Sequence, residues 1–313
     1  MLGRTANDLF WMARYVERVE NMARLLEVGF RLSLLTHERG ESEWRSTLRS
    51  AGCETGFLAR HETCDAGRVV DYLLFDKANP SSVFSCLETA RSNARAQRTA
   101  ITREMWESLN SAWIDFSARA GAPIGPNELP PLFAWIRERS ALFRGAMLNT
   151  ILRNDTYYFT QLGTFLERAD NTARILDVKY YVLLPQNELV GGGVDSAQWA
   201  AILRSVSAHR SFRWVYRDTF KPWHIAEFLM LSAEMPRSLR FCCDEIETAL
   251  AGLADHYGSR QPCLRLAEET LGRLKNTEMN EIFQSGLHEF LSNFIAQNNR
   301  LASEIASDYH FND

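Results

Sequence analysis

The chain has 313 residues, 46% of them hydrophobic and 24% charged, with 17 Gly and 9 Pro. That balance excludes a disordered or low-complexity polymer and provides enough apolar surface for a sizeable core. The formal charge of −4 leaves no basic excess to drive binding to nucleic acid or an anionic membrane, and no apolar run approaches the ~20 residues that span a bilayer. The first twenty residues are rich in charge and lack a signal-peptide core, and the six Cys include no CxxC pair. A reduced cytoplasm is the expected location.

Apolar residues recur at i, i+3, i+4 and i+7, the period of amphipathic helices, and strand-like alternation is scarce. The spacing of Met12, Tyr15, Val16, Val19, Ala23 and Leu26 predicts one long helix over 5–35, capped by Thr5 or Asn7. Helices are predicted over 43–60, 66–76 and 80–98, the last opened by Asn79 as cap with Pro80 in its first turn. Another follows at 101–119, then a Pro/Gly-rich break at 122–131. Beyond it the pattern predicts helices at 132–152, 155–184, 196–209, 222–233, 236–254, 262–275 and 279–308. Leu184-Pro185 and Gly191–Gly193 mark the end of the second long helix. The expected fold is all-α.

The chain also repeats itself. Tyr15–Val28 aligns with Phe165–Val178 at an offset of 150, with seven of fourteen residues identical. Trp44–Ser50 aligns with Trp199–Ser205, and the run Pro80-Ser-Ser-Val with Cys86 aligns with Pro236-Arg-Ser-Leu with Cys242. Three collinear matches predict two helical units of roughly 150 residues, 1–150 and 151–313, joined in one helical bundle with approximate twofold pseudo-symmetry. Two units are too few for a solenoid, which needs at least about three.

Two polar stripes attract attention. Glu17, Asn21 and Arg24 share one helical face, and Glu167, Asn171 and Arg174 repeat it. Three readings are open: a solvated face, a structural polar network inside the bundle, or a ligand cleft in which Arg24 and Arg174 reach for carboxylate or phosphate. A second stripe, Arg91, Arg95 and Arg98, places three guanidinium groups on one face, and the matching second segment lacks it. Like charges at that spacing repel; the stripe reads as a solvated face, as arginines paired with acids such as Glu17 or Glu20, or as an anion-binding surface. No phosphate loop, nucleophile elbow, HExxH, Glu-x-x-His or His/Cys cluster is present, so no cofactor and no metal are expected. Cys86 and Cys242 occupy matching positions and read as small core residues.

The start of the chain through Arg24, with Glu17-Arg18 repeated as Glu167-Arg168, resembles the bacterial alpha-E domain proteins. So do the segments Asn79–Val83, Ala90–Arg95 and Glu104–Trp106. The resemblance covers nearly the whole chain. It implies an all-α cytoplasmic protein associated with a circularly permuted ATP-grasp ligase and a transglutaminase-like cysteine peptidase. It supplies no catalytic residues. The expectation is a non-catalytic partner or substrate-presenting module of an amide ligase or peptide-modification system. The alternatives are an enzyme using Glu17 or Glu167 as general base beside an arginine, and a purely structural scaffold that oligomerises.

Overall fold

A computed structural model describes residues 1–35, 40–121, 124–181, 192–217 and 220–311. Every regular element among them is helical. In chain order they are α1 (Gly3–Ser33), α2 (Gly40–Ser50), α3 (Glu54–Leu58), α4 (Ala66–Leu74), α5 (Val83–Ala96), α6 (Arg103–Ser117), a 3-10 turn (Pro126–Glu128) and α7 (Leu129–Thr150). Then come α8 (Asp155–Tyr181), α9 (Gly193–Ser205), α10 (His209–Tyr216), α11 (Pro222–Leu231), α12 (Leu239–Tyr257), α13 (Pro262–Asn276), α14 (Met279–Ser285) and α15 (Leu287–Asp308).

The two long helices, α1 and α8, form the most extensive contact of the molecule. Around α1 pack α2, α5 and α7; around α8 pack α9, α12 and α15. Helix α2 also touches α8, and α9 also touches α1. The central pair is thus wrapped from both sides. Every residue from Val19 to Gly29 on α1 is buried, charged ones included. Close approach of the axes needs a small residue at the crossing: a Cβ on Gly163 would collide with the carbonyl oxygen of Phe10 and sit 3.1 Å from the Cβ of Ala13.

Local chemistry moves several boundaries. Helix α1 starts at Gly3 with Leu2 in the cap position, so Thr5 and Asn7 lie inside it. Asn79 is not the cap of α5: its Oδ1 accepts from Ser81 N and its Nδ2 donates to Tyr72 O. The cap is Ser82, whose side chain accepts from Ser85 N, because the Pro80 turn runs on for two more residues before the chain becomes helical. Ser238 caps α12 in the same way through Phe241 N. The span 43–60 divides into α2 and α3 at Gly52, whose φ is +69°. The span 279–308 divides into α14 and α15 at Gly286, φ +96°. In both, glycine adopts a backbone conformation that ends a helix without steric cost. Helix α10 lay outside the predicted spans. The signals at Leu184-Pro185 and Gly191 fall outside the described residues.

Candidate functional site

The polar stripes of α1 and α8 face each other. Glu17 is 1% exposed and Glu167 5% exposed, which excludes the solvated-face reading. The two Glu-Arg pairs exchange partners. Arg18 donates from Nε to Glu167 Oε1 at 2.5 Å and from Nη2 to Oε2 at 2.9 Å. Arg168 donates from Nε to Glu17 Oε1 at 3.0 Å and from Nη2 to Oε2 at 3.1 Å. Each is a bidentate fork, the strongest form of guanidinium–carboxylate hydrogen bonding.

Around the Glu17 fork more arginines gather. Arg144 from α7 donates to Glu17 Oε2 at 2.9 Å and also pairs with Glu20. Arg237, ahead of α12, bridges Glu17 Oε1 at 3.2 Å and Glu20 Oε1 at 2.5 Å. Arg24 binds Glu20 Oε1 at 2.9 Å and 2.6 Å, and donates to the carbonyl oxygen of Ser205 at the end of α9. Burial alone would raise the carboxyls of Glu17 and Glu20, but the surrounding arginines outweigh it. Glu17 is held well below the usual carboxylate range, and Glu20 falls to about 2. Burial, with Arg24 and Arg168 nearby, pushes Arg237 down to about 10.

The Glu167 fork is built differently. Arg14 donates from Nε to Glu167 Oε2 at 2.9 Å. Arg174 donates from Nε to Asp170 at 2.6 Å and from Nη1 to Ser50 O, the end of α2, at 3.3 Å. Burial opposes ionisation of Glu167, yet Arg18 and Arg14 hold it at about 2. Beside this fork lies a cavity of about 230 Å³, lined among others by Arg18, Asn21, Ser81, Asp170, Asn171 and Arg174. Gly52 forms part of its wall; a Cβ there would lie 3.3 Å from Arg174 Nη1. Asn21 donates to Glu167 O at 3.2 Å, which fixes its amide orientation, and its Oδ1 accepts nothing. The Oδ1 of Asn171 likewise has no partner, although the residue is 4% exposed.

The nine residues singled out from sequence therefore separate into three places. Asn21, Glu167, Asn171 and Arg174 meet at the cavity. Glu17 and Arg24 belong to the ion-pair cluster around Arg237. Arg91, Arg95 and Arg98 lie on α5 and its C-terminal turn, apart from both; the expected pairing of this stripe with Glu17 or Glu20 does not form, because other arginines occupy those acids. Arg91 instead donates to Asn110 Oδ1 at 2.7 Å, and the Arg91 and Arg98 guanidinium groups lie 5.7 Å and 5.0 Å from the Trp106 ring centroid. Arg95 is exposed.

Sequence reasoning missed Arg14, Arg144 and Arg237 as members. Arg237 left little trace: it stands opposite Ser81 in the aligned segments, at one of several positions where they differ. Arg144 left none. Cys86 and Cys242 are both fully buried, 3.6 Å and 4.0 Å from the Pro80 and Pro236 carbonyl oxygens, with thiols pushed up to about 12 chiefly by burial. Trp44 and Trp199 are both buried. Among the described residues, no group of three His, Cys, Asp or Glu side chains could hold a metal ion, and no helix is long and apolar enough to cross a membrane.

Fold and site together define an all-helical protein organised around reciprocal, buried Glu–Arg pairs. The chain belongs to the Alpha-E family, described as a predicted alpha-helical domain with a conserved ER motif, whose profile matches residues 1–310. Curated relatives include uncharacterised proteins of Mycobacterium bovis and of two strains of Mycobacterium tuberculosis, each 25% identical over 317 aligned positions. The alignments cover 94% of this chain but 35% of the relatives, so the chain spans about a third of their length. No solved structure matches.

Proposed function

We propose that this chain is a non-catalytic, cytoplasmic helical partner, or substrate-presenting module, of an ATP-grasp-type amide ligase or peptide-modification system, in which a transglutaminase-like peptidase also takes part. The observation that carries this reading is the state of Glu17 and Glu167. Both oxygens of each accept from arginines, and both carboxyls are held ionised far below neutrality. A general base works best with a pKa near the working pH and a free lone pair aimed at substrate; these carboxylates have neither. That argues against an enzyme acting through a Glu/Arg cleft. The thiols of Cys86 and Cys242 are equally unsuited to attack. What the surface offers instead is a small polar cavity and a guanidinium stripe, which are binding features.

The same reading treats the chain as two units, 1–150 and 151–313, related by approximate twofold symmetry. The exchanged forks support it, as do Arg24 on Ser205 O beside Arg174 on Ser50 O, and the serine caps of α5 and α12. The closed Glu17 cluster gives some weight to the structural-scaffold alternative for that half. Purification of the tagged chain at native expression tests the proposal. Co-purification of an ATP-grasp ligase whose amide-forming activity falls when the chain is deleted is the expected result. Turnover of a peptide substrate by the purified chain alone, abolished in Glu17→Gln, would overturn it.

A further inference from the structure

We infer that the cavity between α1 and α8 is a binding site for a monosubstituted guanidinium group. The molecule carries its own template for such a ligand. Four arginines, 24, 144, 168 and 237, serve Glu17 and Glu20. Among the described residues three, 14, 18 and 174, serve the matching acids Glu167 and Asp170. Two guanidinium groups join Glu17 to Glu20, those of Arg144 and Arg237, and the residue aligned with Arg237 is Ser81, which lines the cavity. One side chain fills the first position; a serine leaves the second open.

The groups left over at the opening are acceptors. Asp170 accepts from Arg174 at both oxygens, whereas Asn21 and Asn171, which line the cavity, each carry an Oδ1 with no partner. The nearest guanidinium groups are already anchored on other acceptors: Arg18 on both oxygens of Glu167, and Arg174 on both oxygens of Asp170 and on Ser50 O. A buried acceptor without a donor is costly, and a planar cation with up to five N–H groups supplies several donors at once. At about 230 Å³ the space suits a head group and short stem, not a drug-sized molecule, which takes at least about 300 Å³. A fourth cation is tolerable here because the Glu17 cluster already holds four around two acids. The inference rests on the match of Ser81 with Arg237 and is independent of any ligase partner.

Titration calorimetry of the full chain with N-ethylguanidinium tests it, with ethylammonium and butyrate as comparison probes. The expected result is saturable one-to-one binding of N-ethylguanidinium and at least tenfold weaker binding of ethylammonium, which has fewer donors and no fork. Ser81→Arg should fill the cavity from within, raise the melting temperature and abolish binding. Asn171→Ala removes an acceptor that holds no internal hydrogen bond, so it should stay folded and weaken binding; it keeps the test decisive if Ser81→Arg fails to fold. Binding of N-acetylarginine methylamide at least as tight as that of N-ethylguanidinium would assign the ligand to a polypeptide arginine, and binding of the small guanidinium alone to a free metabolite. Saturable binding of butyrate in place of the cation, absence of binding by N-ethylguanidinium, or binding unaltered in both variants would overturn the inference.

Discussion

Arg237 reaches both acids of the Glu17 cluster from a segment more than two hundred residues away in sequence, and it is fully buried between them. Removing one partner from a buried ion-pair network leaves the other charge without compensation, at about 3–5 kcal/mol. Arg237→Ala should therefore lower the free energy of unfolding by that order in urea titrations. Lys221→Ala, at an exposed position ahead of α11, should stay within about 0.5 kcal/mol of the parent. Arg174 is more accessible, with 28% of its side chain exposed, so Arg174→Ala should fall between the two. The pH dependence follows from the same contacts. Glu20 and Glu167 titrate near 2 in the folded chain, against roughly 4.3 for an unfolded Glu. Between those values the unfolded chain binds protons that the folded chain does not, so the stabilisation is complete above about pH 4.5 and drains away as pH falls toward 2. Urea midpoints measured across that window should drop with acid, and Glu167→Gln should flatten the slope while lowering the plateau.

At the scale of elements, the crossing of α1 and α8 depends on the missing side chain of Gly163. A Cβ there has backbone, not a flexible side-chain end, in its way, so Gly163→Ala has to separate the two helices. Overpacking of that kind costs about 1–3 kcal/mol, and it should also loosen the forks, since both span the same interface. Thermal melts of Gly163→Ala compared with Gly145→Ala, where nothing lies within 4 Å of the new Cβ, separate the steric effect from helix propensity, which favours alanine in both. On α5 the arginine stripe behaves as a surface feature. Arg95 is exposed and Arg91 leans on Asn110 and Trp106. The double variant Arg91→Glu, Arg95→Glu should keep its fold by circular dichroism. If the stripe is an anion-binding surface, the same variant loses binding to the acidic partner, and the parent's affinity falls with salt because exposed charges are screened within about 8 Å at physiological ionic strength.

Across the whole molecule, neither long helix has a complete environment without the other. The Glu17 fork is closed by Arg168 from α8, and the Glu167 fork by Arg14 and Arg18 from α1. Buried charge networks of this sort contribute little net stability compared with a well-packed apolar core, but they penalise wrong registers severely. A slip of α1 along α8 would leave carboxylates and guanidinium groups buried apart. Residues 1–154 expressed alone should therefore not yield a stable monomer. The face that normally meets α8 carries both members of a self-complementary Glu17-Arg18 pair, so light scattering should find a dimer or larger aggregate. A monomeric, cooperatively melting half would contradict this account.

Much of the architecture was legible from periodicity alone. Long apolar stripes with a 3.6 period named the all-α class and placed α1, α7, α8, α12 and α13 to within a few residues. The repeat pointed to Glu17-Arg18 and Glu167-Arg168 before any contact was known. Short α10 and the breaks at Gly52 and Gly286 were not legible, because one or two turns of helix carry too little periodicity to outweigh their flanks, and a single glycine is tolerated inside a helix as readily as it ends one. The polar stripe was ambiguous for a related reason. Periodicity distinguishes a charged face from an apolar one, and a charged face ordinarily meets water; on α1 twenty of thirty-one residues are buried, so the charged face is interior too. The sequence by itself determined the long helices and the residue types that could pair. Only the tertiary structure decided that Glu17 would take Arg168, Arg144 and Arg237 while Glu167 took Arg18 and Arg14, and that Ser81 would line a cavity beside the Glu167 fork. Those outcomes depend on Coulomb contacts and excluded volume between segments some of which lie more than two hundred residues apart, and such contacts have no period along the chain.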